Sequence, residues 1–212
     1  MPPSANTPRQ YDSSRRRAAA QANRRAILDA CRELLLRDGY PATTIRAVAD
    51  RANLSPESVY KMFGSKPQMM KALWDITMAG DDAPLAMAER PELQTVLSTP
   101  DPHLRLELYA GFVTGAHERL AALFTLLTGA DPELAQLLAA TEQERLTGIS
   151  AFVAHFAEAG LLRAGADQRL AADACWALTS PRLFIELTVD REWTADVYRQ
   201  WLTGMLTATL MS

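Results

Sequence analysis

Apolar residues recur along the chain at the three- and four-residue intervals of an α-helix. Within residues 22–37 the arginines lie off one face, and that face collects the apolar side chains Ile27, Ala30, Cys31, Leu34 and Leu35. Gly39 and Pro41 end this segment, because glycine tolerates the conformation of a helix cap and proline cannot continue a helix. No stretch alternates between apolar and polar residues for long enough to predict a β-strand. The pattern predicts an all-α protein of about nine or ten helices.

Pairs of a capping residue and a proline mark where later helices begin. Asp101-Pro102 and Asp131-Pro132 each combine a side-chain acceptor with a ring that presets the backbone for a helix. The first of these helices is expected to be either continuous or broken near His117. Thr194 is expected to cap the last helix. The two pairs predict helices over residues 102–129 and 132–159.

Residues 43–66 have the pattern of a helix-turn-helix. Thr43 is expected to cap a short helix whose inner face carries Ile45, Val48 and Ala49. Asn53 then lies in the turn, where asparagine tolerates a left-handed backbone. A second helix begins at Ser55-Pro56, a capping oxygen followed by a preset φ. This short stretch therefore predicts two helices joined by a tight turn.

The second helix of this motif has one inward and one outward face. Val59 and Phe63 point inward, and Gly64 ends the helix. A capping box of Ser65 and Gln68 then opens a fourth helix that runs to about residue 79. The side chains left outward are Ser58, Lys61 and Met62, with Tyr60 at the edge.

Charge is distributed unevenly over the 212 residues. The net charge is −3, but residues 1–80 carry 13 Lys and Arg against 7 Asp and Glu, a balance of +6. Residues 81–212 carry 9 against 18, a balance of −9. Residues 1–17, which include Arg15, Arg16 and Arg17, are expected to form a basic flexible arm. A basic front and an acidic rear suggest that only the front meets a polyanion.

The chain shows none of the usual motifs of catalysis or metal binding. Cys31 and Cys175 are isolated, and the three histidines are not spaced as a metal pair on one helical face. A glycine-rich phosphate loop and a nucleophile elbow are both missing. We therefore expect no metal, no cofactor and no enzymatic activity. The uncharged runs are too short to span a membrane and no signal peptide precedes them, so a cytoplasmic protein is expected.

The last helices are more apolar than a monomer requires. The segment that ends the chain carries two apolar stripes, one of which needs a partner surface. A twofold copy that presents the same helices would form a four-helix bundle, so residues 167–210 are predicted to form a homodimer interface. A monomer with a deep core is the alternative.

Residues 22–75 resemble the DNA-binding domain of the tetracycline-repressor (TetR) family of bacterial transcription regulators. Beyond it, the chain is similar to that family only in plan, as a larger helical domain for ligand binding and dimerisation. The resemblance implies a helix-turn-helix domain over residues 18–66 and a helical domain over residues 67–212. It is carried by several landmarks in order: Gly39-Tyr40, Thr43-Thr44-Ile45, Ala49, Ser55-Pro56, Val59-Tyr60, Phe63 and Gly64-Ser65-Lys66.

The resemblance also implies roles for individual residues on double-stranded DNA. Lys61 can reach guanine, and Glu57 either accepts from cytosine or stabilises its own helix as an acid near the positive end of the dipole. The residues implied to contact phosphates are Thr43, Thr44, Tyr60 and Lys66. Those implied to lie at or near base edges are Ser55, Pro56, Glu57, Ser58 and Lys61.

Aromatic and histidine side chains of the helical domain could line a cavity for a small, mainly apolar effector. Aromatic residues at helical spacing are more often plain core, which is the alternative. The candidates are Phe112, His117, Phe124, Phe152, His155 and Trp176. The sequence as a whole predicts a ligand-responsive repressor that binds a near-palindromic operator as a dimer. The alternative is a helical adaptor that binds a protein partner and has a non-essential DNA module.

Overall fold

The computed structural model describes residues 10–128 and 132–211, which form ten α-helices and no strand. The all-α prediction is confirmed. A short 3₁₀ turn precedes the fifth helix and a π-helical turn follows the ninth, and no described helix could cross a membrane. The helices are α1 (Gln10–Ala42), α2 (Ile45–Ala52), α3 (Pro56–Phe63), α4 (Lys66–Ala79), α5 (Pro91–Ser98), α6 (Pro102–Leu127), α7 (Pro132–Glu158), α8 (Gln168–Leu178), α9 (Pro181–Ile185) and α10 (Ala195–Leu210).

Several boundaries differ from the predictions. Helix α1 begins at Gln10, so Arg15–Arg17 are helical and exposed rather than part of a flexible arm, while residues 1–9 and Asp131 lie outside the described chain. Gly39, with φ 76°, interrupts α1 near its end, as glycine can without steric cost. Helix α6 passes through His117 without a break, and α5 is a helix that the sequence pattern did not predict.

The chain divides into two compact units between Leu73 and Trp74, inside α4. The sequence analysis placed this boundary at residue 66, where the same helix begins. In the first unit, the inner faces of α1, α2 and α3 bury Ile27, Leu35, Val48 and Val59. The Cys31 thiol lies 3.9 Å from the sulfur of Met70, and burial raises its pKa to about 12. Cys31 is therefore a core residue and not a reactive thiol.

The second unit is built around α6, α7, α8 and α10. Their facing stripes bury a single large cluster that includes Leu106, Val153, Cys175 and Leu206. The last residues of α4 are attached to this unit, since Arg119 donates to the carbonyls of Thr77 and Met78 at 3.2 and 2.7 Å. These carbonyls close a helix C-terminus, where a cation is favourable.

Candidate nucleic-acid interface and interior polar groups

The turn between α2 and α3 has the geometry that a helix-turn-helix requires. Asn53 adopts the left-handed conformation, with φ 59° and ψ 41°, and its N–H closes α2 by donating to the carbonyls of Ala49 and Asp50. The Ser55 hydroxyl accepts from the Ser58 N–H at 3.3 Å, and Pro56 opens α3. The predicted turn, cap and first residue of α3 are therefore confirmed.

Thr43 does not have the position that was predicted for it. Thr44 is the N-cap of α2 and accepts from the N–H of Ala47 at 3.1 Å. Thr43 is fully buried, and its hydroxyl donates to the carbonyl of Gly39 at 2.8 Å. The predicted phosphate contact of Thr43 is therefore wrong for this conformation, because its hydroxyl is occupied inside the domain. Thr44 is exposed.

Helix α3 presents a polar face to solvent. Val59 and Phe63 are buried, whereas Glu57, Tyr60 and Lys61 are exposed, and Tyr60 is 54% exposed. The spacing of these three residues puts them on one side of the helix. Ser55 is also exposed at its start, and Pro56 and Ser58 are half-buried beside it. The structure thus brings together all five residues predicted at base edges, with Tyr60 among them.

The Glu57 carboxylate stabilises the start of α3. Hydrogen bonds from its own backbone N–H and from the Ser55 hydroxyl lower the pKa of Glu57. A carboxylate in the first turn also interacts favourably with the helix dipole. The local reading of Glu57 is thus supported by geometry, and a contact with cytosine remains a prediction.

Lys66 lies at the start of α4 and is tied to the end of α1. Its ammonium donates to the carbonyl of Tyr40 at 2.6 Å and lies 3.6 Å from the centroid of the Tyr40 ring. An ammonium carries three donors, so the same group can serve the fold and an external phosphate. A phosphate contact of Lys66 remains a prediction, and the residue also has a structural role.

The candidate effector residues fall into separate groups. Phe112 and Phe152 both pack on Tyr109, with ring centroids 6.4 and 4.0 Å away, and Phe152 continues to Phe156 at 6.2 Å. We call these four residues the α6–α7 aromatic row. Phe124 instead packs on Trp74 at 6.2 Å.

His117 belongs to a second group. Its ring lies 5.4 Å from that of Phe184 and 6.4 Å from that of Tyr198. Within the described ranges, neither the His117 Nδ1 atom nor the Tyr198 hydroxyl has a hydrogen-bond partner, although both atoms are buried. Burial lowers the pKa of His117 to about 3 and, with the Arg145 charge, keeps the imidazole neutral. Burial also raises the pKa of Tyr198.

Trp176 does not line the interior. It is 36% exposed, and its ring covers the Arg145 guanidinium at 4.8 Å. Arg145 also donates to the carbonyl of Trp176 at 2.6 Å and pairs with Glu142. His155 is half-buried, and its Nδ1 atom lacks a hydrogen-bond partner in the part of the chain that the structure describes. The predicted cavity role of Trp176 is therefore wrong for the single chain.

Three interior polar residues were missed by the sequence analysis: Arg105, Arg145 and Tyr198. A signal was present for the two arginines. Arg105 is one turn before Tyr109 on the buried stripe of α6, and Arg145 is one turn before Ile149 on that of α7. A charged residue in phase with an apolar stripe is unusual, because ionised side chains are seldom buried without a partner. The described residues contain no cluster of potential metal ligands.

Comparison with known proteins gives the family of the first unit. Residues 27–73 match the family described as "Bacterial regulatory proteins, tetR family". Over 47 residues the chain is 41% identical to the uncharacterized HTH-type transcriptional regulator YvkB of Bacillus subtilis (strain 168). That match covers 22% of this chain and 25% of the relative, so the chain matches about a quarter of the relative's length.

Solved structures extend the similarity of fold over most of the chain. A protein from Rhodococcus sp., described as a TetR-family transcriptional regulator, has a TM-score of 0.69 at 19% identity, with 90% of this chain and 99% of that chain covered. SmeT in complex with triclosan has a TM-score of 0.67 at 20% identity, with 91% and 93% covered. Identities this low show the fold alone. Residues 27–73 are therefore a domain of the tetR family of bacterial regulatory proteins, and the chain as a whole has a fold similar to solved TetR-family regulators.

Proposed function

We propose that this protein is a ligand-responsive transcription repressor that binds a near-palindromic DNA operator as a homodimer. The observation that carries the proposal is the exposed polar face of α3. The left-handed turn at Asn53 orients α3 so that its opposite face is buried in the same unit as the inner faces of α1 and α2. An α-helix fits the major groove of B-DNA, and side chains of its first turns reach base edges.

The residues of this surface divide into two kinds of contact. Thr44, Tyr60 and Lys66 would bind phosphates, which position the protein without reading sequence. Ser55, Pro56, Glu57, Ser58 and Lys61 would lie at or near base edges. Lys61 is exposed on the outward face of α3 and is the side chain suited to guanine O6 and N7.

A homodimer would use the last helices, over residues 167–210. Apolar side chains are exposed on both α8 and α10, which is unusual for a surface that meets only water. The residues are Leu170 and Trp176 on α8 and Val197 and Met205 on α10. In such a dimer the two α3 helices would enter successive major grooves about 34 Å apart, or a small multiple of that distance.

A mainly apolar small molecule bound in the second unit would control DNA binding. The related fold of SmeT was solved with triclosan, which supports a small-molecule effector for this chain. Arg119 on α6 holds the last carbonyls of α4. A ligand that shifted α6 would thus act on α4. The coupling must come from a difference in ligand affinity between two conformations, typically ~1–3 kcal/mol.

The proposal is tested by selecting operators from a randomised duplex pool and measuring the affinity of variants over a range of salt concentrations. Lys61→Ala is expected to lose about 1–3 kcal/mol on the selected sequence and to relax the preference at one base position. Lys66→Ala is expected to weaken all sequences alike and to lower the salt slope by about one. Because the Lys66 ammonium also donates to the Tyr40 carbonyl, the thermal stability of the Lys66→Ala variant must be measured in parallel.

The matched control is Lys71→Ala, which removes the same side chain from the half-buried part of α4. It is expected to leave base preference unchanged. If the wild-type protein selects no duplex at low salt without effector, the proposal is wrong and the helical adaptor becomes the better hypothesis. If Lys66→Ala changes sequence preference and leaves the salt slope unaltered, the assigned roles are wrong.

A further inference from the structure

Arg105 is a buried cation without an anionic partner among the described residues. It is 5% exposed, and its Nε–H donates to the carbonyl of Thr99 at 2.7 Å. Its Nη1 atom is buried, and none of the residues that the structure describes accepts a hydrogen bond from it. The guanidinium forms no ion pair with a carboxylate of residues 10–128 or 132–211.

The other well-buried arginines of the second unit are neutralised. Arg90 pairs with Asp81 at 2.8 Å, and Arg145 pairs with Glu142. A guanidinium stays charged at any physiological pH, so Arg105 cannot escape its burial by losing a proton. Leaving one charge buried and uncompensated is strongly unfavourable. Arg105 therefore differs from its neighbours in a way that an added anion would correct.

The local backbone supplies a partial negative charge to Arg105 but not a full one. Arg105 lies in the first turns of α6, where the helix dipole is positive. The N-cap Asp101 is exposed, and its carboxylate accepts from the N–H of Leu104 at 2.8 Å. The Thr99 carbonyl, at the C-terminal cap of α5, supplies a partial negative charge, while the start of α6 adds a positive one.

The surroundings of Arg105 indicate what kind of anion would fit. Its guanidinium lies 6.0 Å from the centroid of Phe156, which is fully buried. Phe156 ends the α6–α7 aromatic row, so a cation lies at one end of a buried row of packed rings formed by Phe156, Phe152 and Tyr109. A molecule that matched both features would have an apolar body and a small negative head.

We propose that the effector is an amphiphilic monocarboxylate, whose carboxylate pairs with Arg105 and whose apolar body lies along the α6–α7 aromatic row. This inference rests on the proposed ligand response and names its chemical class. A single negative charge matches a single guanidinium, whereas a phosphate dianion would itself be left partly uncompensated in this interior. Arg105 is the residue that would select the charged head over a neutral one.

The test is calorimetric titration of the full chain with ω-phenylalkanoates of graded length and with the matched ω-phenylalkanamides, which are neutral. The wild-type protein is expected to bind at least one carboxylate at least about 30-fold more tightly than its amide, as loss of a buried charge pair predicts. Acetate, which has no apolar body, is expected not to bind. An alkyl phosphate of similar length is expected to bind more weakly than the carboxylate.

Variants locate the site. Arg105→Met keeps an apolar stem and is expected to lose the preference for carboxylate over amide, while Arg105→Lys retains part of it. The matched control is Arg169→Met, since Arg169 is exposed on α8 and pairs with Asp173. It is expected to bind as the wild type does. If Arg105→Met fails to fold, the carboxylate-to-amide ratio of the wild-type protein still decides the question.

The inference is overturned if no carboxylate in the series binds, if amides bind equally well, or if folded Arg105→Met keeps the wild-type preference. Its failure can be separated from that of the proposed function by a DNA-release assay. If only neutral molecules release the protein from its operator, the carboxylate inference is wrong and the proposed DNA-binding function still holds. If the protein binds carboxylates but selects no DNA, the proposed function is wrong and the carboxylate site still holds.

Discussion

At the scale of single residues, burial decides which chemistry each polar side chain retains. His117 packs on the rings of Phe184 and Tyr198, and no described residue forms a hydrogen bond with its Nδ1 atom. Charging the imidazole there would require desolvation without a compensating carboxylate, so its pKa falls to about 3. Arg105 cannot respond in this way, because a guanidinium does not titrate. His117 is therefore neutral, whereas Arg105 remains charged and requires an anionic partner.

His117 should make the stability of the second unit depend on pH. The unfolded state binds a proton near the ordinary value of 6.5 and the folded state only near 3, so stability is full above 6.5 and is lost as pH falls toward 3. Between about pH 6 and about pH 5 the free energy of unfolding should drop by about 1 kcal/mol from this residue. His117→Phe should remove that part of the drop in urea unfolding. His103→Phe, at an exposed position, should not, and equal pH dependence of all three proteins would contradict the assignment.

At the scale of elements, α2 and α3 are oriented by a turn only a few residues long. Asn53 adopts φ 59°, which closes α2 and sends the chain directly to the cap at Ser55. This backbone conformation is sterically unfavourable for residues with a Cβ, unless the side chain can form local hydrogen bonds, as that of asparagine can. The angle between the two helices, and so the presentation of Lys61 and Tyr60, depends on this residue.

Asn53→Ala should lower the free energy of unfolding by about 1–2 kcal/mol, since alanine has the steric penalty without the local hydrogen bonds. Asn53→Gly should be close to neutral, because glycine adopts positive φ readily. Urea unfolding of both variants measures the difference. Asp50→Ala, an exposed change in the preceding helix, is the control and should have little effect. Equal stability of the alanine and glycine variants would show that the turn is not strained.

At the scale of the whole molecule, the second unit exposes apolar side chains that a monomer would leave in contact with water. Val197 and Met205 on α10 are 46% and 37% exposed, although the opposite face of the same helix buries Tyr198, Leu202 and Leu206. A helix with two apolar faces is expected to bury the second against another subunit. Trp176 on α8 fits the same interpretation, as a residue wrongly placed in a cavity by the sequence and available to a partner.

Replacing both Val197 and Met205 by glutamate should convert the protein to a monomer. A twofold axis brings each new carboxylate near its copy, and like charges in an interface cost several kcal/mol, so the dimer dissociation constant should rise by about 100-fold or more. Sedimentation equilibrium measures this directly, and operator affinity should fall with it. Leu85→Glu, at an exposed apolar position before α5, should remain dimeric. A double variant that stays dimeric would place the interface elsewhere.

Features that depend on a few consecutive residues were determined by the sequence alone. The caps at Ser55, Asp101 and Thr194 each accept a hydrogen bond from a residue three positions on, and all three were predicted. The positive φ values of Asn53 and Gly64 follow from the same local chemistry. The outward face of α3 was also predictable, because a helical period and two buried residues determine it.

Only the tertiary structure decided which side chains are buried and what they contact. It moved the cap of α2 from Thr43 to Thr44 by burying Thr43 against Gly39, and it put Trp176 at the surface and Arg105 in the interior. It also carried α1 back to Gln10, beyond the residues whose apolar pattern marks a helix. The physical reason is the separation in sequence over which each kind of interaction acts. Capping and turn conformations are set by hydrogen bonds over three or four residues, whereas desolvation depends on neighbours that are distant in sequence and meet only when helices pack.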